Sequence, residues 1–144
     1  MLTSEVQVTV RYAECDPLGI VYHSNYFIYF ELSRTQQMKD AGYTYVQMTE
    51  LGAFVVMSEI GARFRAPARY DDVLVIRATL AKVSSMRIQH TYEILKLLPD
   101  GTREHLGEGW STLACVNRAG ELILIPDTIR EFYARGKALA SATP

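Results

Sequence analysis

The amino-acid sequence predicts an α+β domain in which one antiparallel sheet packs on a single long helix. Three observations carry this. A helical pattern stands early, from about Ser24 to Ala41. Alternating strand patterns follow it, from Ile60 to Ile125. Short turn signals, Pro99-Asp100-Gly101 and Asn117 to Gly120, separate those strands. Short turns join antiparallel neighbours, because parallel ones need a long crossover. One helix followed by successive strands is the α+β layout.

In the first segment Val6, Val8, Val10 and Tyr12 alternate with Glu5, Gln7, Thr9 and Arg11. That is the two-residue period of a half-buried strand. Asp16-Pro17-Leu18-Gly19 ends it: Pro17 disfavours helix at the residue before it, and Gly19 permits a turn. The long helix takes Ser24 as its N-cap and Gly42 at the left-handed position past its end. Its first half is apolar on nearly every side (Tyr26, Phe27, Ile28, Tyr29, Phe30, Leu32), which predicts that the protein surrounds it. Its second half (Arg34, Gln36, Gln37, Lys39, Asp40) predicts a position nearer solvent. Thr44 and Gln47 have the spacing of a capping box for a short helix ending near Gly52.

Strands come next. Ile60, Ala62 and Phe64 share one face, as do Leu74, Ile76, Ala78 and Leu80. Met86, Ile88, His90, Tyr92 and Ile94 form another face, and Leu106, Glu108, Trp110, Thr112, Ala114 and Val116 one more. Leu122 to Ile125 is a short closing strand. Asp127 then caps a helix running to about Lys137. Residues 1–139 read as a single domain and 140–144 as a loose tail.

The chain has 144 residues, 49% hydrophobic and 22% charged. This is a globular composition and the length of one domain, not of a disordered scaffold. Fifteen Lys+Arg against 16 Asp+Glu leave a net charge of −1, without the cationic stripe of a nucleic-acid binder. No apolar run approaches the ~20 residues that cross a bilayer. The opening MLTSEVQVTV has neither the basic start nor the apolar stretch of a secretory signal. Two cysteines, Cys15 and Cys115, do not make a disulfide framework. The expectation is a cytoplasmic protein with reduced thiols.

Reactive residues concentrate in Asp16-Pro17-Leu18-Gly19-Ile20-Val21-Tyr22-His23-Ser24-Asn25-Tyr26: a carboxylate, a turn, then a helix start. The first amides of a helix lack intrahelical acceptors, and that end carries partial positive charge. It can polarise a carbonyl oxygen while an acid on the approaching loop activates water or attacks directly. Asp16 is equally readable as a turn residue bonding its own backbone. His23 is readable as a cap or surface histidine, and Asn25 and Tyr26 as capping or packing groups.

Arg11-Tyr12, Asp16, Gly19, Val21-Tyr22-His23, Asn25-Tyr26 and Glu31 through Arg34, with the later Ala66-Pro67-Ala68-Arg69-Tyr70-Asp71-Asp72, resemble the 4-hydroxybenzoyl-CoA thioesterase type of hotdog-fold protein. Within that type they resemble most the acyl-CoA thioesterases associated with the Tol-Pal system. The likeness spans about Val6 to Val116. It implies a sheet wrapped around a central helix, protomers paired with active sites between them, and hydrolysis of acyl-CoA thioesters without metal or redox cofactor. It places the catalytic carboxylate on Asp16 and a histidine on His23. A second polarising amide, a glycine's in the 4-hydroxybenzoyl-CoA enzyme, falls near Phe54. The backbone amides of His23 and its neighbours would hold the thioester oxygen.

Tyr22, Tyr26, Phe54 and Met57 then suggest an apolar pocket, with Asn25 beside it. CoA phosphates call for cations near the mouth. Arg63, Arg65, Arg69, Lys82 and Arg87 are candidates, each also readable as a solvated strand residue. Ser84 and Ser85 could donate to phosphate or simply make a turn. His90 reads as a packed histidine, His105 as exposed and Cys115 as a small core residue. Two other readings of the same fold stand beside hydrolysis: a hydratase or dehydratase acting on acyl-CoA, and a non-enzymatic acyl-CoA-binding module. An open sheet leaves an exposed edge strand, so a homodimer or a homotetramer built as a dimer of dimers is expected.

Overall fold

The computed structural model describes residues 2–142, the side chains of 136–142 excepted. Its elements are β1 (Thr3–Thr9), α1 (Asn25–Asp40), α2 (Tyr45–Glu50), β2 (Phe54–Phe64), β3 (Val73–Val83), β4 (Ile88–Leu97), β5 (Arg103–Val116), β6 (Leu122–Ile123) and α3 (Asp127–Ala142). The strands form one sheet in the order β1-β3-β4-β5-β2, with β6 beside β5. Every neighbouring pair is antiparallel, as the short turns require. No helix among the described residues is long and apolar enough to cross a membrane.

The sheet wraps α1. Phe30 of α1 lies flat on Tyr92 of β4, ring centroids 4.4 Å apart. On β5, a Cβ at Gly109 would stand 2.5 Å from the Phe30 ring, so only glycine lets the ring sit this deep. Leu74, Ile76, Ala78 and Leu80 of β3 are buried, as their alternation predicts. One core cluster gathers around Tyr26, Tyr29, Phe30, Ile76 and Tyr92. A second joins Met38, Met48, Leu113, Ile129 and Tyr133, where α1 ends and α2 and α3 pack. The Thr44–Gln47 box closes as expected: the Gln47 amide donates to Thr44 Oγ1 at 3.3 Å, and the Thr44 amide to Gln47 Oε1 at 2.8 Å.

Several local expectations change. β1 ends at Thr9, and Tyr12 begins a short 3-10 turn with its side chain 80% exposed. Ser24 already has helical angles and makes no side-chain cap bond. Each half of α1 departs from expectation in part: Tyr26, Tyr29 and Phe30 are enclosed and Lys39 and Asp40 are exposed as expected, but two residues in each half are not. Ile28 and Leu32 are 54% and 45% exposed, while Arg34 and Gln37 are buried. Gln37 tolerates burial because Nε2 donates to the carbonyls of Leu2 and Ala78, at 3.1 and 3.2 Å. On β5 the pairing shifts between Ile94 and Leu95, whose partners are Gly107 and His105. This bulge at Leu106 changes the phase of the strand. Gly109, Ser111, Leu113 and Cys115 then face the core, and Trp110, for which core packing is the default expectation, lies on the opposite face with Glu108. Met86 falls in the β3–β4 turn and is exposed. α3 runs past Lys137 to Ala142, over the first residues expected as a tail; residues 143 and 144 lie outside the described residues.

Candidate active site

Asp16 is held by a closed loop. Its amide donates to the Ile20 carbonyl at 2.9 Å, and its carbonyl accepts from the Gly19 amide at 2.8 Å. Gly19 has φ +79°, a left-handed value that glycine takes without a Cβ penalty. Asp16 Oδ1 accepts from the Leu18 amide at 2.8 Å. The side chain therefore makes the Asx-type turn bond, and that bond fixes its direction. No hydrogen bond or ion pair among the described residues uses Oδ2. Short bridges, Cys15 with Val21 and Ile20 with Arg69, fasten the loop to the segment after β2.

The start of α1 is tied to the same loop. The Glu14 carbonyl accepts both the Tyr22 amide and Asn25 Nδ2, each at 2.9 Å. The amides of Asn25, Tyr26 and Phe27 donate to the carbonyls of Tyr22, His23 and Ser24, at 3.0, 3.3 and 3.2 Å. The amides of His23 and Ser24 have no acceptor among the described residues. Two polarised donors therefore remain where the helix begins.

A cavity of about 360 Å³ opens there, lined by Asp16, His23, Tyr26, Phe64, Arg65 and Pro67 among others. Acid, imidazole and apolar walls thus share one space. Burial raises the Tyr26 hydroxyl above its usual range, partly opposed by a backbone hydrogen bond at Ala68. Arg65 is already engaged: its Nε is 2.9 Å from Glu108 Oε2 and its Nη2 pairs with Oε1. That pairing lowers the Glu108 carboxyl.

The remaining candidates lie elsewhere. Phe54 and Met57 line a second cavity, of about 250 Å³, with Glu31, Arg34 and Tyr45. Ser84 and Arg87 line a third, of about 460 Å³, with Ser58 and Leu122. Ser84 Oγ accepts from the Met86 and Arg87 amides, at 3.3 and 3.1 Å, so it also builds its turn. The Ser85 carbonyl accepts from the Ile125 amide at 2.8 Å. Arg63 stands over the Trp110 ring at 5.7 Å. Arg69 and Lys82 are exposed, and the Arg69 amide donates to Asp72 Oδ2 at 2.8 Å. Tyr22 is exposed, its ring 4.2 Å from that of His23. Asn25 is spent on the Glu14 carbonyl. Sequence reasoning passed over Arg34, although its spacing from Phe30 and Met38 sets all three on one helix face.

Residues 10–133 match the thioesterase-like superfamily. YneP of Bacillus subtilis (strain 168) is 32% identical over 94 residues, 65% of this chain and 68% of that protein. The acyl-CoA thioester hydrolase YbgC of Escherichia coli O6:H1 is 32% identical over 89 residues, 61% of this chain and 66% of that protein. The 4-hydroxybenzoyl-CoA thioesterase from Pseudomonas sp. strain CBS-3 shares the fold, with a TM-score of 0.81 at 21% identity over 92% of this chain and 99% of that one. The sheet wrapped on α1 is the hotdog fold, and the chain belongs to the thioesterase-like superfamily.

Proposed function

We propose that this protein hydrolyses acyl-CoA thioesters, with Asp16 as the acting carboxylate. The observation that supports the reading is the shared cavity: Asp16 and His23 line it together at the start of α1, where the His23 and Ser24 amides have no acceptor among the described residues. A thioester carbonyl seated there has its oxygen on those amides. Its carbon is open to Asp16, whose Oδ1 is steadied by the Leu18 amide. Asp16 either takes a proton from water as that water attacks, or attacks itself and forms an anhydride that water then opens. Both routes release the CoA thiolate and end in the free acid. Both use the uncommitted carboxylate oxygen. One oxyanion donor is worth roughly 3 kcal/mol of barrier, so the two amides are comparable in weight to the acid. His23 orients water or substrate at the cavity wall. Tyr26 supplies apolar wall, and Arg65, at the cavity, meets the CoA phosphates by exchanging its Glu108 partner.

We further propose pairing through β2. It is an edge of the sheet, and it exposes Val56, Met57 and Phe64, while α1 exposes Ile28 and Leu32. An unpaired apolar edge is covered most simply by its own copy. The relatives named as thioester hydrolases support the chemistry. The test is a thiol-release assay on short, medium, long and aromatic acyl-CoAs, with wild type beside Asp16→Asn. Hydrolysis releases CoA thiol, whereas hydration or simple binding does not.

A further inference from the structure

Beyond the cavity of Asp16, the same two elements enclose another. Tyr26 of α1 and Phe64 of β2 line the first, and Arg34 of α1 and Met57 of β2 line the second. Going from the first to the second, the lining moves toward the C-terminal end of α1 and back toward the start of β2, with no residue shared between them. Arg34 is 9% exposed. Its Nη1 donates to Tyr92 Oη at 3.3 Å, a neutral oxygen shared with Ser111 Oγ at 2.6 Å. Tyr45 contributes another phenol beside it. Arg34 Nε is buried and has no hydrogen-bond partner. None of the ion pairs among the described residues includes Arg34. Glu31 lines the same cavity and is exposed, but makes no such pair. A guanidinium keeps its proton in proteins, and a buried charge without a counter-charge is expensive. The cavity therefore sets a cation without a direct ion pair among the described residues, only the exposed Glu31 carboxylate acting on it through space, against apolar walls of Met48, Phe54 and Met57.

We infer that this cavity receives the far end of an acyl group bearing a terminal carboxylate, and that Arg34 is the residue that selects it. The inference rests on the thioesterase reading. The apolar walls suit methylenes, and the guanidinium fork suits a carboxylate better than any neutral group. His23 and Arg34 are separated by roughly 16 Å of helix rise, and side chains on a helix lean toward its N-terminus. The tail is therefore of medium length, with octanedioyl as the probe.

The experiment compares kcat/KM for octanedioyl-CoA and octanoyl-CoA by thiol release, in wild type, Arg34→Gln and Glu31→Gln. Wild type favours the carboxylated chain at least tenfold. Arg34→Gln lowers that ratio at least tenfold. Glu31→Gln, an exposed site that folding tolerates, raises it by removing a repelling charge. A wild-type ratio at or below one overturns the inference, as does a ratio unmoved by both substitutions. Calorimetry with free octanedioate separates it from the hydrolysis itself. Binding that weakens at least tenfold in Arg34→Gln, in a protein that cleaves no acyl-CoA, keeps the anion site and removes the thioesterase. Hydrolysis with no dependence on Arg34 does the reverse.

Discussion

Gln37 on α1 and His90 on β4 meet at 2.9 Å, Oε1 to Nε2, in the middle of the molecule. Because Gln37 spends its nitrogen on two carbonyls, its oxygen accepts and His90 Nε2 carries the proton, an assignment that follows from the network. Nδ1 is buried without a partner and carries no proton in this tautomer. Burial, reinforced by the nearby Arg34 charge, pushes the His90 pKa from 6.5 down to about 3.

The unfolded chain therefore binds a proton at this histidine that the folded chain refuses between about pH 6.5 and pH 3. Stability from this source is complete above 6.5 and is lost as pH falls toward 3, by up to ~1.4 kcal/mol per unit. Urea unfolding followed from pH 7 to pH 5, above the carboxylate range, should show a falling midpoint. His90→Gln should flatten that slope. An equal slope in both proteins contradicts the prediction.

Gly109→Ala places a methyl 2.5 Å from the Phe30 ring, and Phe30 is fully buried against Tyr92. Neither ring has space to yield, so overpacking should cost about 1–3 kcal/mol. Denaturant unfolding reads this directly, and an unchanged midpoint would mean that the ring moves freely.

Asn25 Nδ2 binds the Glu14 carbonyl at 2.9 Å and so joins the Asp16 loop to the start of α1. Asn25→Ala should cost about 1 kcal/mol of stability. It should also lower kcat about tenfold, because acid and amides lose their common frame. KM should change little. A raised KM with kcat intact would instead make Asn25 a substrate contact.

Val56→Lys sets a charge on the exposed edge of β2. Lysine blocks strand pairing at sheet edges, so light scattering should find the variant monomeric and the wild type at least dimeric. A monomeric wild type contradicts pairing through β2.

Strand patterns repeated every second residue were legible because burial on one face writes that period into the sequence. Leu74, Ile76, Ala78 and Leu80 are the clearest instance. Gly42, with φ +85°, and the Thr44–Gln47 box were legible because each answers a local backbone need. The inward face of β5 was not, since the bulge at Leu106 turns the later strand over and nothing in its composition marks the place. Arg34 and Gln37 misled through their polarity. Their spacing from Phe30 placed them inside, and burial followed the spacing once Gln37 found carbonyl partners. The sequence offered Asp16 as either a turn residue or an acid. The structure shows one oxygen in the turn and the other unengaged, a division no spacing displays. Phe54 and Met57 read as part of one pocket with Tyr26, but the fold sets them at a separate cavity, a tertiary fact.

The central claim is that the Asp16 carboxylate acts on a thioester held at the start of α1. Its most direct measure is kcat for CoA release by Asp16→Asn on the best acyl-CoA, alongside a urea unfolding curve for the same protein. The account predicts a fall of at least a hundredfold in kcat with the unfolding midpoint nearly unchanged, since the amide oxygen can still accept from Leu18. Turnover within a few-fold of wild type in a folded Asp16→Asn protein would contradict it.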